Sequence, residues 1–476
     1  MYTLGSKLTV TLLQLVSTLV LARLLLPEDF GVVTMVLAIT QFAGLFKDLG
    51  LSSAAIQSDT LTDQQQSNLF WINLTVGLVL TLLVAALAPA VAWFYRKPEL
   101  VAVTLALSLK FFLTSLGTQH GAKLLRELRF GTKTLAEITG AAAGLFVAVA
   151  LALQGFSYWA LVWGNLTLAA VNSLVLLIGM PFPLLIPRAQ SGTKKLLRFG
   201  AHVTGFEFVN YFHRNLDNLL IGRVWGADAL GFYSRAYTLL MLPITSIRAP
   251  LNAVAFPALS RLQHDPENFR TYFRRVLTIL GLFTIPMSTF AWLAAHPLIL
   301  LALGPNWMDV VPIFSILAIT SIIQPVAGLR GMVLMSLGQS RRYLQWGIIN
   351  AIFISLAFLV GIRWGPVGIA RAYAVSTYLI LQPSLHYVFH KTPLRPRDFW
   401  IGIWRPLAAS AGAAAAVILL KHFLPLSDNL LYHLLVLLVS FFGTFGILFT
   451  LIPGGIAEIK WWMRLVKPPS ISRPSR

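Results

Sequence analysis

The sequence has no cysteine, and only 11% of its 476 residues are Asp, Glu, Lys or Arg. Without cysteine the chain cannot form disulfides, bind a metal through thiolates or use a cysteine nucleophile. Soluble domains carry about 25% charged residues. The shortage of charge, together with 57% hydrophobic residues and a mean hydropathy of +0.74, therefore predicts a membrane protein and argues against a soluble enzyme.

Sequence motifs of common enzyme classes are also missing. The chain contains no G-x-x-x-x-G-K-[ST] nucleotide-binding loop, no H-E-x-x-H zinc motif and no G-x-S-x-G nucleophile motif. The nine histidines are scattered, and His202 and His213 are predicted to pack rather than to bind a metal. The predicted outer loops are short, which argues against a membrane glycosyltransferase or polymerase. We expect no enzymatic activity, no metal site and no cofactor.

Long hydrophobic runs dominate what is present. A membrane-crossing helix needs about 20 mostly apolar residues. This length gives predicted spans near residues 5–26, 30–49, 69–94, 99–119, 133–154, 156–179, 198–222, 228–253, 272–295, 308–337, 340–361, 365–389, 400–423 and 429–452. We therefore predict an all-α polytopic membrane protein of about 14 transmembrane helices, with two parallel six-helix lobes and two C-terminal helices.

Positive charge is distributed unevenly between the two predicted sides of the membrane. The chain has 37 Lys and Arg residues against 17 Asp and Glu residues. With a cytoplasmic N-terminus, 25 of the cations fall in cytoplasmic segments, 6 on the opposite side and 6 inside spans. Because Lys and Arg accumulate in cytoplasmic loops, this count predicts that both termini are cytoplasmic. It argues against a nucleic-acid partner, since the charge is spread over many short loops.

A proline-rich segment, Met180–Ser191, marks a boundary after the sixth span. We predict domains at 1–180 (N-lobe), 181–197 (cytoplasmic linker), 198–390 (C-lobe), 391–455 (helices 13 and 14) and 456–476 (basic amphipathic tail). At an offset of 200 residues, the first helix corner of each lobe carries matching residues: Arg23 and Arg223, Glu28 and Asp228, Gly31 and Gly231. The pattern predicts a parallel duplication; the alternative is chance recurrence of turn residues.

Six cations lie inside predicted spans: Lys110, Arg214, Arg235, Arg248, Arg330 and Arg371. A charge at the bilayer centre costs roughly 2.5–3.5 kcal/mol, so most of these residues are expected to face a polar interior. Helical spacing groups further polar residues on single faces of predicted helices, and the neutral members chosen are Gln14, Gln41, Asn210, Tyr211 and Asn218. These residues, with the cations other than Arg371, form our predicted substrate cavity. The alternative is that the charges pair within one lobe.

Four acids accompany the cations at membrane depth: Asp48, Glu137, Glu207 and Asp217. Buried carboxylates are readily protonated, so these residues are candidates for coupling to Na+ or H+. Because the cations outnumber the acids and arginine can bind phosphate in a bidentate fashion, the interior favours an anionic substrate.

Several segments resemble the polysaccharide transporter family, in particular its Wzx-type and colanic-acid-exporter-like branch of the MOP (MATE-like) superfamily. They are LARLLLPEDFGVVTMVLAITQFAGLFKDLGLSSAAIQ (Leu21–Gln57), NLFWINLTVGLVL (Asn68–Leu80), NLDNLLIGRVWGADALGFYSRAYTLLMLP (Asn215–Pro243) and FPALSRLQHDPENF (Phe256–Phe269). The resemblance covers roughly residues 5–455 and rests on the ordered set of segments, not on one motif.

The resemblance implies a V-shaped pair of lobes that alternates between inward-open and outward-open states. It also implies a substrate, an oligosaccharide repeat unit on undecaprenyl pyrophosphate, flipped across the bacterial inner membrane during lipopolysaccharide or other polysaccharide biosynthesis. The positions that match the family's cationic cavity are Lys110, Arg214, Arg235 and Arg248. Membrane lipids and a polysaccharide polymerase or ligase are the implied partners. The alternatives are a lipid II or multidrug exporter of the same superfamily, and a non-transporting scaffold of a polysaccharide synthase complex.

Overall fold

The computed structural model describes residues 2–48, 50–57, 61–188, 193–423 and 429–458, and their side chains except those of 2–8, 53–54 and 193–214. Over these residues the chain is helical, with two short 3-10 helices and no strand. The helices are α1 (Tyr2–Leu24), α2 (Pro27–Gly44), α3 (Leu51–Gln57), α4 (Asp63–Ala86), α5 (Ala88–Tyr95), α6 (Leu100–Arg126), α7 (Phe130–Leu153), α8 (Tyr158–Gly179), α9 (Thr193–Arg261), α10 (Pro266–Leu293), α11 (Ala295–Ala302), α12 (Val310–Ala327), α13 (Leu329–Ser336), α14 (Ser340–Gly361), α15 (Gly365–Phe389), α16 (Pro396–Phe423) and α17 (Leu430–Leu451). The all-α prediction is confirmed.

Ten helical segments among the described residues are long and apolar enough to cross a membrane. Two of them, Asn215–Arg261 and Ser340–Phe389, have 47 and 50 residues, and each covers two of the predicted spans. Since an α-helix rises 1.5 Å per residue, segments of this length far exceed a hydrocarbon core of about 30 Å. The chain is therefore a multi-pass membrane protein, while the count of fourteen crossings stays a prediction.

Two predicted spans are each divided between two helices. The span near 69–94 is divided between α4 and α5, and Pro89 lies at the start of α5. The span near 308–337 is divided between α12 and α13 at Gly328. Proline is tolerated in the first turn of a helix, and a freed backbone group inside a membrane protein is accepted where protein surrounds it.

The contacts group the chain into two compact units. The first comprises residues 1–246, 302–317 and 344–377, and the second comprises residues 247–301, 318–343 and 378–476. The predicted lobes, 1–180 and 198–390, are a different partition and stay a prediction.

Small residues bring the helices of the first unit close together. A Cβ atom added at Gly144 of α7 would lie 2.7 Å from the carbonyl oxygen of Gly164 of α8, and one at Gly117 of α6 would lie 2.9 Å from Ser173 of α8. Helices associate in membranes through such small-residue contacts because lipid tails supply no hydrophobic drive. The second unit uses the same device, since a Cβ at Gly402 of α16 would lie 2.9 Å from Leu277 of α10.

Residues 181–188 of the predicted linker are held against the first turns of α4. The Ser67 hydroxyl donates to the Leu185 carbonyl and accepts from the Leu185 N–H, both at 2.8 Å. The Asn68 amide donates to the Arg188 carbonyl at 2.7 Å. These bonds satisfy the backbone of a segment that has no secondary structure of its own. Residues 189–192 of the linker, like most of the predicted tail over 456–476, lie outside the described residues, and residues 193–197 begin α9.

Candidate functional site

The first helix corner joins α1 to α2. Pro27 occupies the first turn of α2, where the missing N–H costs nothing, and a carboxylate oxygen of Asp29 accepts from the Leu26 N–H at 2.8 Å. The Ser157 hydroxyl donates to the other oxygen of Asp29. Asp29 is buried, and these bonds to its carboxylate fix the start of α2.

The second corner lies inside α9. The helix is interrupted at Gly226, whose φ of +86° and ψ of −172° favour glycine strongly. Gly226 stands 200 residues after Leu26, the residue that precedes α2. The predicted repeat therefore places the chain reversal at corresponding positions in both copies.

The two corners contact each other reciprocally at their glycines. A Cβ atom at Gly31 would lie 1.8 Å from the Ala227 carbonyl oxygen, and one at Gly231 would lie 2.0 Å from the Pro27 carbonyl oxygen. Gly31 thus contacts Ala227, which is the equivalent of Pro27 in the second copy. Gly231, the equivalent of Gly31, contacts Pro27 itself. Two copies related by a twofold axis give this reciprocity, which supports the predicted duplication over chance recurrence of turn residues.

Trp307 is fully buried against both corners, and sequence reasoning missed it. Its indole N–H donates to the Ala22 carbonyl at 2.7 Å, and its ring lies 5.4 Å from Phe30 and 6.1 Å from Phe232 in edge-on geometry. The signal available was a tryptophan in the loop between the predicted spans near 272–295 and 308–337. A buried indole needs an acceptor, and here α1 supplies it.

The second copy gathers polar groups at membrane depth beside its corner. The Tyr233 hydroxyl donates to the Asp217 carboxylate at 2.9 Å, and the Asn218 N–H donates to the other Asp217 oxygen at 2.8 Å. The Arg235 guanidinium lies 4.6 Å from the centre of the Phe30 ring, in cation–π geometry. Arg235 Nε is buried and has no hydrogen-bond partner among the described residues. The sequence predicted Asp217, Asn218 and Arg235 as polar residues at membrane depth, but neither partner ring.

Other predicted residues of the first unit form separate contacts. The Lys110 ammonium donates to the Asn165 side chain at 3.3 Å. The Asp48 carboxylate accepts from the Ser52 hydroxyl at 2.8 Å and from the Asn73 amide at 3.2 Å. In both cases a charged group at membrane depth has a polar neighbour, which lowers the energetic cost of placing the charge there.

Four of the predicted residues have exposed side chains, namely Gln14, Gln41, Glu137 and Arg371. Glu137 lies 3.8 Å from Lys133, one helical turn earlier. The side chains of Glu207, Asn210, Tyr211 and Arg214 lie outside the described residues.

Two predicted cations of the second unit, Arg248 and Arg330, each contact the backbone at the break between α12 and α13. A Cβ at Gly328 would lie 2.8 Å from Arg248 Nη2, so the guanidinium packs directly on the glycine backbone. Arg330 Nε donates to the Ala327 carbonyl at 2.6 Å. Arg330 Nη1 is buried and has no hydrogen-bond partner in the described part of the chain. Two guanidinium groups at one helix break form an arrangement that can bind a phosphate.

No group of three or more His, Cys, Asp or Glu residues that could hold a metal ion occurs among the described residues. The basic groups at membrane depth, arginines and a lysine, lie beside amides, backbone carbonyls and rings. Such groups can bind and orient an anion, and the carboxylates of Asp48 and Asp217 can exchange a proton.

Comparison with known proteins places this arrangement in a family. The family model described as polysaccharide biosynthesis protein matches residues 20–312. Lipopolysaccharide biosynthesis protein WzxC of Escherichia coli (strain K12) is 25% identical over 414 residues, which are 84% of this chain and 82% of WzxC. Succinoglycan biosynthesis transport protein ExoT of Rhizobium meliloti (strain 1021) is 26% identical over 419 residues, 86% of this chain and 84% of ExoT.

The fold is also similar to a solved structure, lipid II flippase MurJ in an inward closed conformation. The TM-score is 0.75 at 13% sequence identity, and the match covers 98% of this chain and 100% of the MurJ chain. At this identity the likeness concerns the fold alone. Since the family model matches more than half of the sequence, the chain belongs to the family of polysaccharide biosynthesis proteins.

Proposed function

We propose that the protein translocates a lipid-linked oligosaccharide across the bacterial inner membrane by alternating access, with both termini in the cytoplasm. The relatives named for lipopolysaccharide biosynthesis and for succinoglycan transport support this class of substrate. The family resemblance narrows it to an oligosaccharide repeat unit on undecaprenyl pyrophosphate. Catalysis is not part of the proposal.

The observation that carries the proposal is the pair Arg248 and Arg330 at the break beside Gly328. Each arginine would cost several kcal/mol at membrane depth without a counter-ion or polar surroundings. Arg330 Nη1 has no acceptor within the described residues, so a ligand oxygen would satisfy it. A diphosphate offers two charged groups, and planar guanidinium forks bind such oxygens in a bidentate manner.

An ion gradient is our proposed energy source. Asp48 and Asp217 hold hydrogen-bonded carboxylates in the first unit, and Glu137 and Glu207 complete the set of candidates. Binding of Na+ or H+ to one of these carboxylates would remove its negative charge and thereby change its contacts. Loss of transport on collapse of a Na+ or a proton gradient would identify the ion.

Transport of labelled lipid-linked oligosaccharide in proteoliposomes tests the proposal. We expect Arg330→Gln and Arg248→Gln to lower the transport rate at least about tenfold, which corresponds to about 1.4 kcal/mol of lost binding. Arg371→Gln, which changes an exposed arginine of α15, is the matched control and should transport normally. Wild-type rates equal to those of empty vesicles, with a range of sugars, contradict the proposal.

The similarity to the MurJ fold makes lipid II the second candidate substrate. The same vesicle assay with labelled lipid II distinguishes the two candidate substrates. Depletion in cells gives an independent readout: arrest of cell-wall growth favours lipid II, whereas loss of surface polysaccharide alone favours the first substrate. A scaffold without transport activity would tolerate both arginine substitutions at normal expression.

A further inference from the structure

A cavity of about 210 Å³ opens within the second unit between α10 and α16. One face of α10 lines the cavity, and its residues change from polar to apolar along the helix. They are Thr271, Arg274, Arg275, Thr278, Ile279 and Leu282. From α16 come Ile401, Gly402 and Arg405, and Glu458 follows α17. None of these residues belongs to the predicted substrate cavity.

The arginines of this cavity lie at the level where the apolar part of each helix begins. After Arg275, α10 runs for 18 residues to Leu293 without a charged residue. After Arg405, α16 runs to Lys421 without one. At 1.5 Å per residue, 18 residues span about 27 Å, close to the thickness of a bilayer hydrocarbon core. The arginines therefore lie at the depth of the lipid phosphates, with apolar Ile279 and Leu282 below them.

Two of the arginines are already oriented by carboxylates. Arg274 donates twice to one oxygen of Asp398, whose other oxygen accepts from the Arg395 N–H at 2.7 Å and so fixes the start of α16. Arg405 donates to Glu458 and, at 2.9 Å, to the Pro453 carbonyl. The three arginines of the lining are offset by two carboxylates, Glu458 in the lining and Asp398 beside it, so one net positive charge remains.

Glu458 occupies the cavity as an anion supplied by the chain itself. One of its oxygens accepts from Arg405, while Oε2 is buried without a hydrogen-bond partner among the described residues. A buried carboxylate oxygen without a donor is costly. A ligand phosphate that replaced this carboxylate would gain Arg405 and relieve the cost.

We propose that this cavity binds the phosphate headgroup of an anionic phospholipid, with its acyl chains along Ile279 and Leu282, in competition with Glu458. Arg274, Arg275 and Arg405 supply the charge, and their depth places them opposite the lipid phosphate. A free phosphate ester shares the headgroup chemistry but would gain nothing from the apolar end of the cavity. The inference is independent of the transported substrate, because none of its residues is in the predicted substrate set.

Native mass spectrometry of the purified full-length protein tests the proposal. The probes are phosphatidylglycerol and phosphatidylcholine with the same acyl chains. We expect wild-type protein to retain phosphatidylglycerol in preference to phosphatidylcholine, and Arg275→Gln to lower this retention about tenfold, as for the loss of one charged hydrogen-bonding group. Arg261→Gln, which changes an exposed arginine at the end of α9, is the matched control and should bind as wild type does.

Glu458→Gln gives a result in the opposite direction. Removing the competing charge should raise phosphatidylglycerol retention severalfold, which a misfolded variant would not do. Excess glycerol phosphate distinguishes the sources: if it displaces the lipid completely, the site binds a free phosphate ester and the lipid proposal is wrong. Equal retention of the two lipids, or retention unaffected by Arg275→Gln and Glu458→Gln, also overturns it.

Discussion

At the first corner Gly31 packs on Ala227, and at the second corner Gly231 packs on Pro27, so the two copies share their backbone contacts. The side chains that follow them differ. At the positions of Tyr233 and Arg235, the first copy has Val33 and Met35, both buried. The copies therefore retain the small residues that allow close approach, while their polar chemistry has diverged.

The divergence concerns one hydrogen-bonded group in particular. Asp217 of the second copy accepts from Tyr233, whereas the corresponding positions of the first copy are Ser17 and Val33. A buried carboxylate and its donor must be acquired together, because either alone leaves an unsatisfied polar group. Beside the corners, therefore, the second copy has a buried polar group where the first copy has packing residues.

The largest effect should follow substitution of either corner glycine. Gly31→Ala and Gly231→Ala each place a Cβ within about 2 Å of a carbonyl oxygen, so we expect each to lower the free energy of unfolding by about 3 kcal/mol. Thermal unfolding in detergent measures it. Gly347→Ala in α14, where no atom lies within 4 Å of the added Cβ, should not destabilise. If only one corner glycine is sensitive, the copies are not equivalent in packing.

Tyr233→Phe should have the next largest effect. It removes the donor to a buried carboxylate, and we expect the free energy of unfolding to fall by about 2 kcal/mol. Tyr432→Phe on α17 changes an exposed tyrosine and serves as the control. The double variant Asp217→Asn with Tyr233→Phe should recover part of the loss, since no charge then remains without its donor. Full additivity of the two substitutions would count against their coupling.

Arg235→Met introduces into the second copy the residue type that the first copy has at the equivalent position, Met35. We expect transport to fall about tenfold while the stability is unchanged or rises, because replacing a buried charge by a packed apolar residue is often neutral or stabilising. Proteoliposome transport and thermal unfolding, measured on the same preparation, separate the two effects. Equal loss of both would assign Arg235 to packing and remove the proposed functional difference between the copies.

The smallest effect on stability concerns an ion pair at the first corner. Lys97 lies 2.5 Å from Glu28 and 3.2 Å from Glu99. Burial alone would lower the pKa of Lys97, but the hydrogen bonds and charges of the two acids outweigh it and raise the pKa above 10.5. Lys97→Met should cost less than about 1 kcal/mol, since Glu28 is half exposed.

The pH dependence of this pair has a definite sign. A raised pKa in the folded state means that the contribution is present below 10.5 and lost as the pH rises through the folded value. The stability difference between wild type and Lys97→Met should thus be constant near neutral pH and shrink at strongly alkaline pH. A difference that grows with pH would contradict the pairing.

The sequence predicted the helical class and the duplicated corner, because both rest on local composition: apolar runs of about 20 residues and matched glycines at an offset of 200. It did not predict the break at Gly328, since hydropathy sums over a span and is insensitive to one backbone position. The cost of a charge at membrane depth predicted that Arg235 faces a polar interior. It could not show that its neighbour is Phe30, because that contact joins residues 205 positions apart in sequence.

The sequence predicted which residues belong to the site, but it did not predict which of them contact one another. Arg248 and Arg330 were both recognised from the cost of charge at membrane depth, yet only the structure shows that they share the Ala327–Gly328 backbone. Trp307 was missed because a tryptophan in a loop carries no periodic signal. The cavity beside Arg405 was missed because its arginines were counted as cytoplasmic charge.

The reciprocal glycine contact has an evolutionary consequence. In an isologous interface, residue i of one subunit meets residue j of the other and j meets i, and this is the rule that Gly31, Ala227, Gly231 and Pro27 follow within one chain. A protein that consisted of a single copy would form the same contact between the two subunits of a homodimer. After fusion, a larger residue at either glycine must be compensated in the opposite half, so the two halves cannot drift independently at these four positions.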